Sequence, residues 1–175
     1  MPMPMPCTIP VSLFDRSMLL QELAPAAVLF ACAFGLAFYR GLEPRKKMFS
    51  VAIICIIGLM TSTSTAMLAF RSKVVVQDDT VTFYAGRWKA QLPVAALADA
   101  NATNQIGASL RKRTNGFSSG KVSAGWFQDA TGRKIFALSS GNGRIISRTS
   151  GEFSLVLDQA TFDELKHCIA DSANR

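Results

Sequence analysis

Residues 18–70 are almost wholly apolar, broken by Gln21, Glu22 and one basic stretch, and from Arg71 onward the chain turns polar, glycine-rich and charged. Within the first region, residues 23–39 carry no charge over 17 positions and residues 48–70 none over 23. A helix needs about 20 apolar residues to cross a hydrocarbon core of roughly 30 Å. Residues 51–60 offer no polar face that a soluble core helix could turn to water. The pattern predicts two spans, 18–39 and 48–70, joined as an antiparallel hairpin by the linker 40–47. Residues 1–17 read as a leader punctuated by Pro2, Pro4, Pro6 and Pro10. It lacks the basic start and small-residue cleavage site of a secretory signal, so the first span is expected to remain as an anchor.

Beyond residue 71 the period shortens. Runs at 74–77 and 80–84 flank Asp78-Asp79, a tight-turn signal, and 88–92 follows Gly86. Pro93 opens a short helix over 94–98. Residues 101–112 hold a weak strand, 121–128 and 133–139 form a hairpin around Asp129–Gly132, and 144–149 and 153–157 are further strands. Asp158 then precedes a helix over 159–170 in which Phe162, Leu165 and Ile169 recur on one face. Six or seven antiparallel strands and one C-terminal helix suggest a small barrel that the helix plugs, with Phe162 and Leu165 packed onto the sheet.

Charge sharpens the topology. The linker 40–47 holds four basic residues and one acid, against Arg16 on one flank of the hairpin and Arg71 and Lys73 on the other. Basic residues in short loops stay cytoplasmic, which places the linker inside and the domain 71–175 outside the cytoplasm. That domain carries 14 basic and 9 acidic residues. Its one basic cluster, Arg111-Lys112-Arg113, is a possible lipid or partner contact, although a solvated loop is the simpler reading. Small residues at four-residue spacing, Ala27, Ala31 and Gly35 in the first span and Gly58, Ser62 and Ala66 in the second, mark a possible helix-packing seam. The hydroxyls of residues 61–65 are expected to bond carbonyls one turn back.

Catalytic chemistry is not signalled. His167 and Cys168 are helix neighbours pointing about 100° apart, unsuited to a nucleophile–base pair. Gly141-Asn142-Gly143 lacks the following Lys and helix of a phosphate loop. Cys32 and Cys55 lie within the spans, Cys7 in the leader and Cys168 near the C-terminus, so no pair falls inside the expected domain and no disulfide or zinc framework is read. Neither catalytic residues, cofactors nor nucleic acid are expected.

Gly116, the turn Gly125-Trp126-Phe127, the hairpin strand from Gly132 to Leu138, the strands 144–149 and 153–157 and the closing Thr161-Phe-Asp-Glu-Leu165 occur in an order that resembles the bacterial pleckstrin-homology (PH-like) domains. The resemblance covers about 100 residues, with 73–98 supplying the opening strands and small helix. It implies an α+β membrane protein: an N-terminal transmembrane helical hairpin, then a small PH-like antiparallel β-barrel or sandwich closed by a C-terminal helix. No residue-for-residue counterpart exists for the phosphoinositide motif of eukaryotic relatives, so lipid binding is not carried over. The expected function is a membrane-anchored interaction module of a bacterial cell membrane, binding a protein partner or lipid headgroups. The alternative is a structural subunit assembled, or homo-oligomerised, through its spans.

Overall fold

The structure is a computed structural model describing residues 6–39, 41, 43–98, 102–103, 110, 112–141, 144–148 and 152–173. The chain divides into two compact units, Phe14–Ala69 and a discontinuous one formed by Met1–Leu13 with Phe70–Arg175.

In the first unit, α1 (Arg16–Phe38) and α2 (Pro44–Arg71) are both long and apolar enough to cross a membrane. Large apolar side chains cover their outside: Leu20, Phe34, Phe38, Met48, Phe49 and Met60 are all about two-thirds exposed or more. Gly58 is buried beneath the Phe30 ring, where a Cβ would stand 3.1 Å from the ring's Cζ. Four of the five hydroxyls at 61–65 are satisfied inside the helix, as expected. Thr61 donates to the Ile57 and Gly58 carbonyls, Ser62 to Gly58, Ser64 to Met60 and Thr65 to Thr61, at 2.8–3.2 Å. No hydroxyl of these four then needs water, which suits a helix in lipid.

The second unit holds two sheets. The first has the order β1 (Cys7–Pro10), β2 (Lys73–Gln77), β3 (Thr80–Ala85), β4 (Trp88–Pro93). Two-residue loops, Asp78-Asp79 and Gly86-Arg87, fix its register, with Gln77 opposite Thr80 and Ala85 opposite Trp88. Alternation then sends Val74, Val76, Val81, Phe83, Ala85, Ala90 and Leu92 to a buried face and leaves Lys73, Gln77, Thr80, Lys89 and Gln91 exposed. β1 corrects the reading of residues 1–17 as a leader. Ile9 pairs with Val74, Val11 N–H donates to the Ser72 carbonyl at 3.1 Å, and Ile9, Val11 and Leu13 are buried. The prolines concealed this strand, but Pro10 ends an edge strand, where a missing N–H is tolerated.

The second sheet has the order β5 (Ala102–Thr103), β9 (Arg144–Arg148), β10 (Ser154–Asp158), β8 (Lys134–Ser139), β7 (Val122–Gln128), β6 (Lys112–Ser119). β10 inserts between β8 and β9 and runs parallel to β8, from Ser154 opposite Ile135 to Leu157 opposite Leu138. This departs from the all-antiparallel expectation, because insertion of a later strand is decided by packing rather than by the adjoining turns. Burial on both faces explains its composition: every residue of β10, and every residue of β8 after Lys134, is buried. Strand β6 and part of the 101–112 expectation also differ, since only Ala102–Thr103 and Lys112 onward are strand among the described residues. Hydrogen-bonded ladders among the described residues give two sheets, and none closes them into a barrel.

Gly116 and Gly125 face one another across β6 and β7. Gly125 has φ +102°, and a Cβ there would lie 2.7 Å from Gly116 Cα and 2.8 Å from the Asn115 carbonyl oxygen. Only glycine accommodates that approach. The sheets meet through Phe83 and Phe136, with ring centroids 6.5 Å apart, while Trp126 stands edge-on to Phe136 and Phe153 at 5.0 Å.

α3 (Ala95–Ala98) is a single turn, and α4 (Gln159–Ala173) docks with Phe162 and Leu165 buried, as expected. The Asp158 carboxylate, itself buried, accepts from Ser139 Oγ and from the Ser140 N–H and Oγ at 2.5–2.8 Å, tying the end of β10 to the end of β8. Cys7 and Cys168 form a disulfide with Cα atoms 6.1 Å apart across 161 residues of sequence. The sequence reading saw no pair because it placed Cys7 outside the folded domain. Once β1 joins the sheet, Cys7 shares the inner side with Val76 and reaches α4.

Candidate functional site

Register brings together side chains that are far apart in sequence. Lys73 is the first residue of β2, and its cross-strand partner is Tyr84, whose partner on the other side is Lys89. All three stand on the exposed face. The Tyr84 ring lies between two ammonium groups, Lys73 Nζ at 5.6 Å and Lys89 Nζ at 5.8 Å from its centroid. The negative face of an aromatic ring favours both cations and moderates their mutual repulsion.

The β3–β4 turn completes the arrangement. Gly86 takes φ +61°, and Arg87 beside it projects over the Trp88 ring at 5.1 Å. Trp88 is fixed in turn, since its Nε1–H donates to Asn115 Oδ1 of β6 at 2.8 Å. With Phe70 and Arg71 from the end of α2, these residues line a cleft of about 530 Å³: Phe70, Arg71, Lys73, Tyr84, Gly86, Arg87 and Lys89. Four of the seven are cationic and none is acidic. Such a lining attracts anions, and it has no carboxylate or imidazole to move a proton.

The residues expected from sequence are distributed differently. Lys112 and Arg113 are exposed at the start of β6, on the edge of the second sheet, and Arg111 lies outside the described residues. They do not join the cleft. Beside them Thr114, Asn115, Trp126, Gln128 and Lys134 line a smaller recess of about 280 Å³. In the helical unit Gly58 is buried and Ser62 and Ala66 half-buried, whereas Ala27, Ala31 and Gly35 are exposed and, among the described residues of α1, the small residues Ala26 and Ala33 are buried. His167 is exposed on α4. Among the described residues, no three His, Cys, Asp or Glu side chains gather as metal ligands would.

Lys73, Tyr84, Arg87 and Lys89 escaped the sequence reading because they are not contiguous. The signal was present: once two-residue turns are placed at Asp78-Asp79 and Gly86-Arg87, pairing of 73 with 84 and of 84 with 89 follows. Comparison with protein-family models, curated proteins and solved structures finds no match.

Proposed function

We propose that this protein is a membrane-anchored, non-catalytic binding module, in which Phe14–Ala69 is a transmembrane hairpin and the β unit, PH-like in character, displays the binding surface. The observation carrying this reading is the apolar exterior of α1 and α2. Side chains such as Phe34, Met48 and Met60 would form an aggregating patch in water, whereas lipid solvates them. The PH-like reading is supported by the succession of hairpins followed by one docked helix. The side of the membrane is supported by two independent arguments. The basic linker favours a cytoplasmic loop, and a disulfide between Cys7 and Cys168 favours an oxidising, extracytoplasmic compartment for the β unit. Assembly through the spans, with itself or a larger complex, is supported by the exposed small residues Ala27, Ala31 and Gly35.

The discontinuity of the β unit supplies the test. Val11 and Ser72 are hydrogen-bonded neighbours, so residues 14–69 can be replaced by a short Gly/Asn turn that converts β1 and β2 into an ordinary hairpin. The excised chain is expected to be soluble, disulfide-bonded and β-rich, while the full chain stays in carbonate-washed membranes. A full chain released by carbonate overturns the anchor. Cleaving instead at residue 71 would remove β1 and unpair the β2 edge, so that fragment is expected to aggregate.

A further inference from the structure

We propose that the cleft formed by Arg71, Lys73, Tyr84, Arg87 and Lys89 is a site for the phosphodiester headgroup of an anionic membrane lipid. The proposal rests on, and deepens, the membrane anchoring above. Four cations converge with no acid among the lining residues, the lysines being held apart by one tyrosine ring and the Arg87 side chain lying over Trp88. A phosphodiester fits this chemistry: it carries one negative charge, takes hydrogen bonds from ammonium and guanidinium groups and needs no proton transfer. The lining begins at Phe70 and Arg71, the last residues of α2, so the first cation of the site lies at the end of the apolar stretch where headgroups would be.

The source favoured is a lipid rather than a soluble phosphate ester because of Phe70. This side chain lines the same cleft and is 84% exposed. Beside a free phosphate it would remain against water, whereas beside a phospholipid it meets the glycerol and upper acyl chain. Tyr84 and Trp88 add the amphipathic aromatic character typical of a membrane interface.

The full chain is reconstituted in phosphatidylcholine bilayers carrying traces of spin-labelled phosphatidylglycerol or spin-labelled phosphatidylcholine, and the protein-immobilised fraction of each label is compared. Each interfacial cation is worth roughly fivefold in attraction, so phosphatidylglycerol is expected to be preferred by about fivefold or more at about 0.1 M salt. The preference should approach unity at about 1 M salt, where screening acts over about 3 Å. It should also approach unity in Lys73→Gln/Arg87→Gln/Lys89→Gln and fall partway in the single variant Lys89→Glu, a change at one exposed position. Lys112→Gln/Arg113→Gln should retain it. Equal immobilisation of both labels by the wild-type chain overturns the proposal, as does a preference surviving the triple variant or lost in the Lys112/Arg113 control. Saturable binding of glycerol 3-phosphate by the wild-type chain that is lost in the triple variant, together with equal immobilisation of both lipid labels, assigns the cleft to soluble phosphate esters and overturns the lipid source. Anchoring is read separately by carbonate washing of the same vesicles. A chain stripped by carbonate overturns the anchor, while the label comparison made before the wash still decides the cleft.

Discussion

The two sheets of the β unit use the same strand geometry for opposite ends. In the first, the inner positions Val74, Val81, Phe83 and Ala85 are fully buried, and the outer positions are mostly polar and open, with Lys73, Gln77, Thr80, Lys89 and Gln91 exposed, Val75 and Tyr84 half-buried and Thr82 buried among them. In the second, alternation is lost wherever both faces are covered. Phe136 and Leu138 face one way and Phe127, Ile135, Ala137 and Val156 the other, and the latter form a cluster with Leu110 packed against it. A sheet covered on both sides cannot present charge without a desolvation penalty. A sheet covered on one side has a free row at every second residue. The cationic cleft therefore sits on the first sheet, and the second supplies the larger share of the core.

That contrast can be broken by matching two aromatic truncations. Phe136 is wholly buried at the meeting of the sheets, so Phe136→Ala is expected to cost about 3–5 kcal/mol. Tyr84 stands half-buried on the open face, so Tyr84→Ala should cost about 1 kcal/mol or less while weakening anion attraction. Urea unfolding of the full chain in detergent, followed by tryptophan fluorescence, measures both. Equal losses would mean that the open face is not open.

Much of this division was legible in the residues. Both turns of the first sheet, the extents of β2, β3 and β4 within a residue or two, and α4 with Phe162 and Leu165 buried follow from local chemistry. Two features were not legible, and a third was legible only through register. β1 is short, proline-flanked and separated from β2 by the whole hairpin, so nothing local announces it. The parallel pairing of β8 with β10 depends on which gap a later strand enters. The cleft depends on register summed over two turns. The first two are long-range pairings whose stabilisation appears only after the partner is in place, whereas the third follows from two local turns once the register is carried across both.

The disulfide tests how firmly β1 belongs to the first sheet. Bridging Cys7 to Cys168 secures an edge strand of four residues against α4. Cys168→Ser is expected to lower stability by about 2–4 kcal/mol, the usual range for a native bridge that closes a long loop. Reduction of the wild-type chain should reproduce that shift, and hydrogen exchange should show β1 opening before β3. If reduction leaves both the unfolding midpoint and the β1 amides unchanged, sheet pairing alone holds the strand.

The smallest effect concerns the β7–β8 turn of the second sheet. Asp129 Oδ1 accepts hydrogen bonds from Thr131 Oγ1 at 2.7 Å, Thr131 N–H at 2.8 Å and Arg133 N–H at 2.9 Å. The Thr131 hydroxyl, followed by the two backbone donors and the Arg133 charge, holds this carboxyl below its ordinary value of 3.8. Because the folded value is depressed, the turn's contribution is fully present above the ordinary range and is lost as pH falls through the folded value. The site is at the surface, so the loss should be slight. Asn at this position can still accept from Thr131 and Arg133 but has no proton to gain, so Asp129→Asn should start slightly less stable at neutral pH. The gap to wild type should close as the solution is acidified below pH 3.8. Thermal midpoints of the two chains across the acid limb measure it, alongside carboxyl titration by NMR. An Asp129 value at or above 3.8 would show that the hydrogen bonds do not favour the charged form, leaving the turn to Gly132 and the backbone.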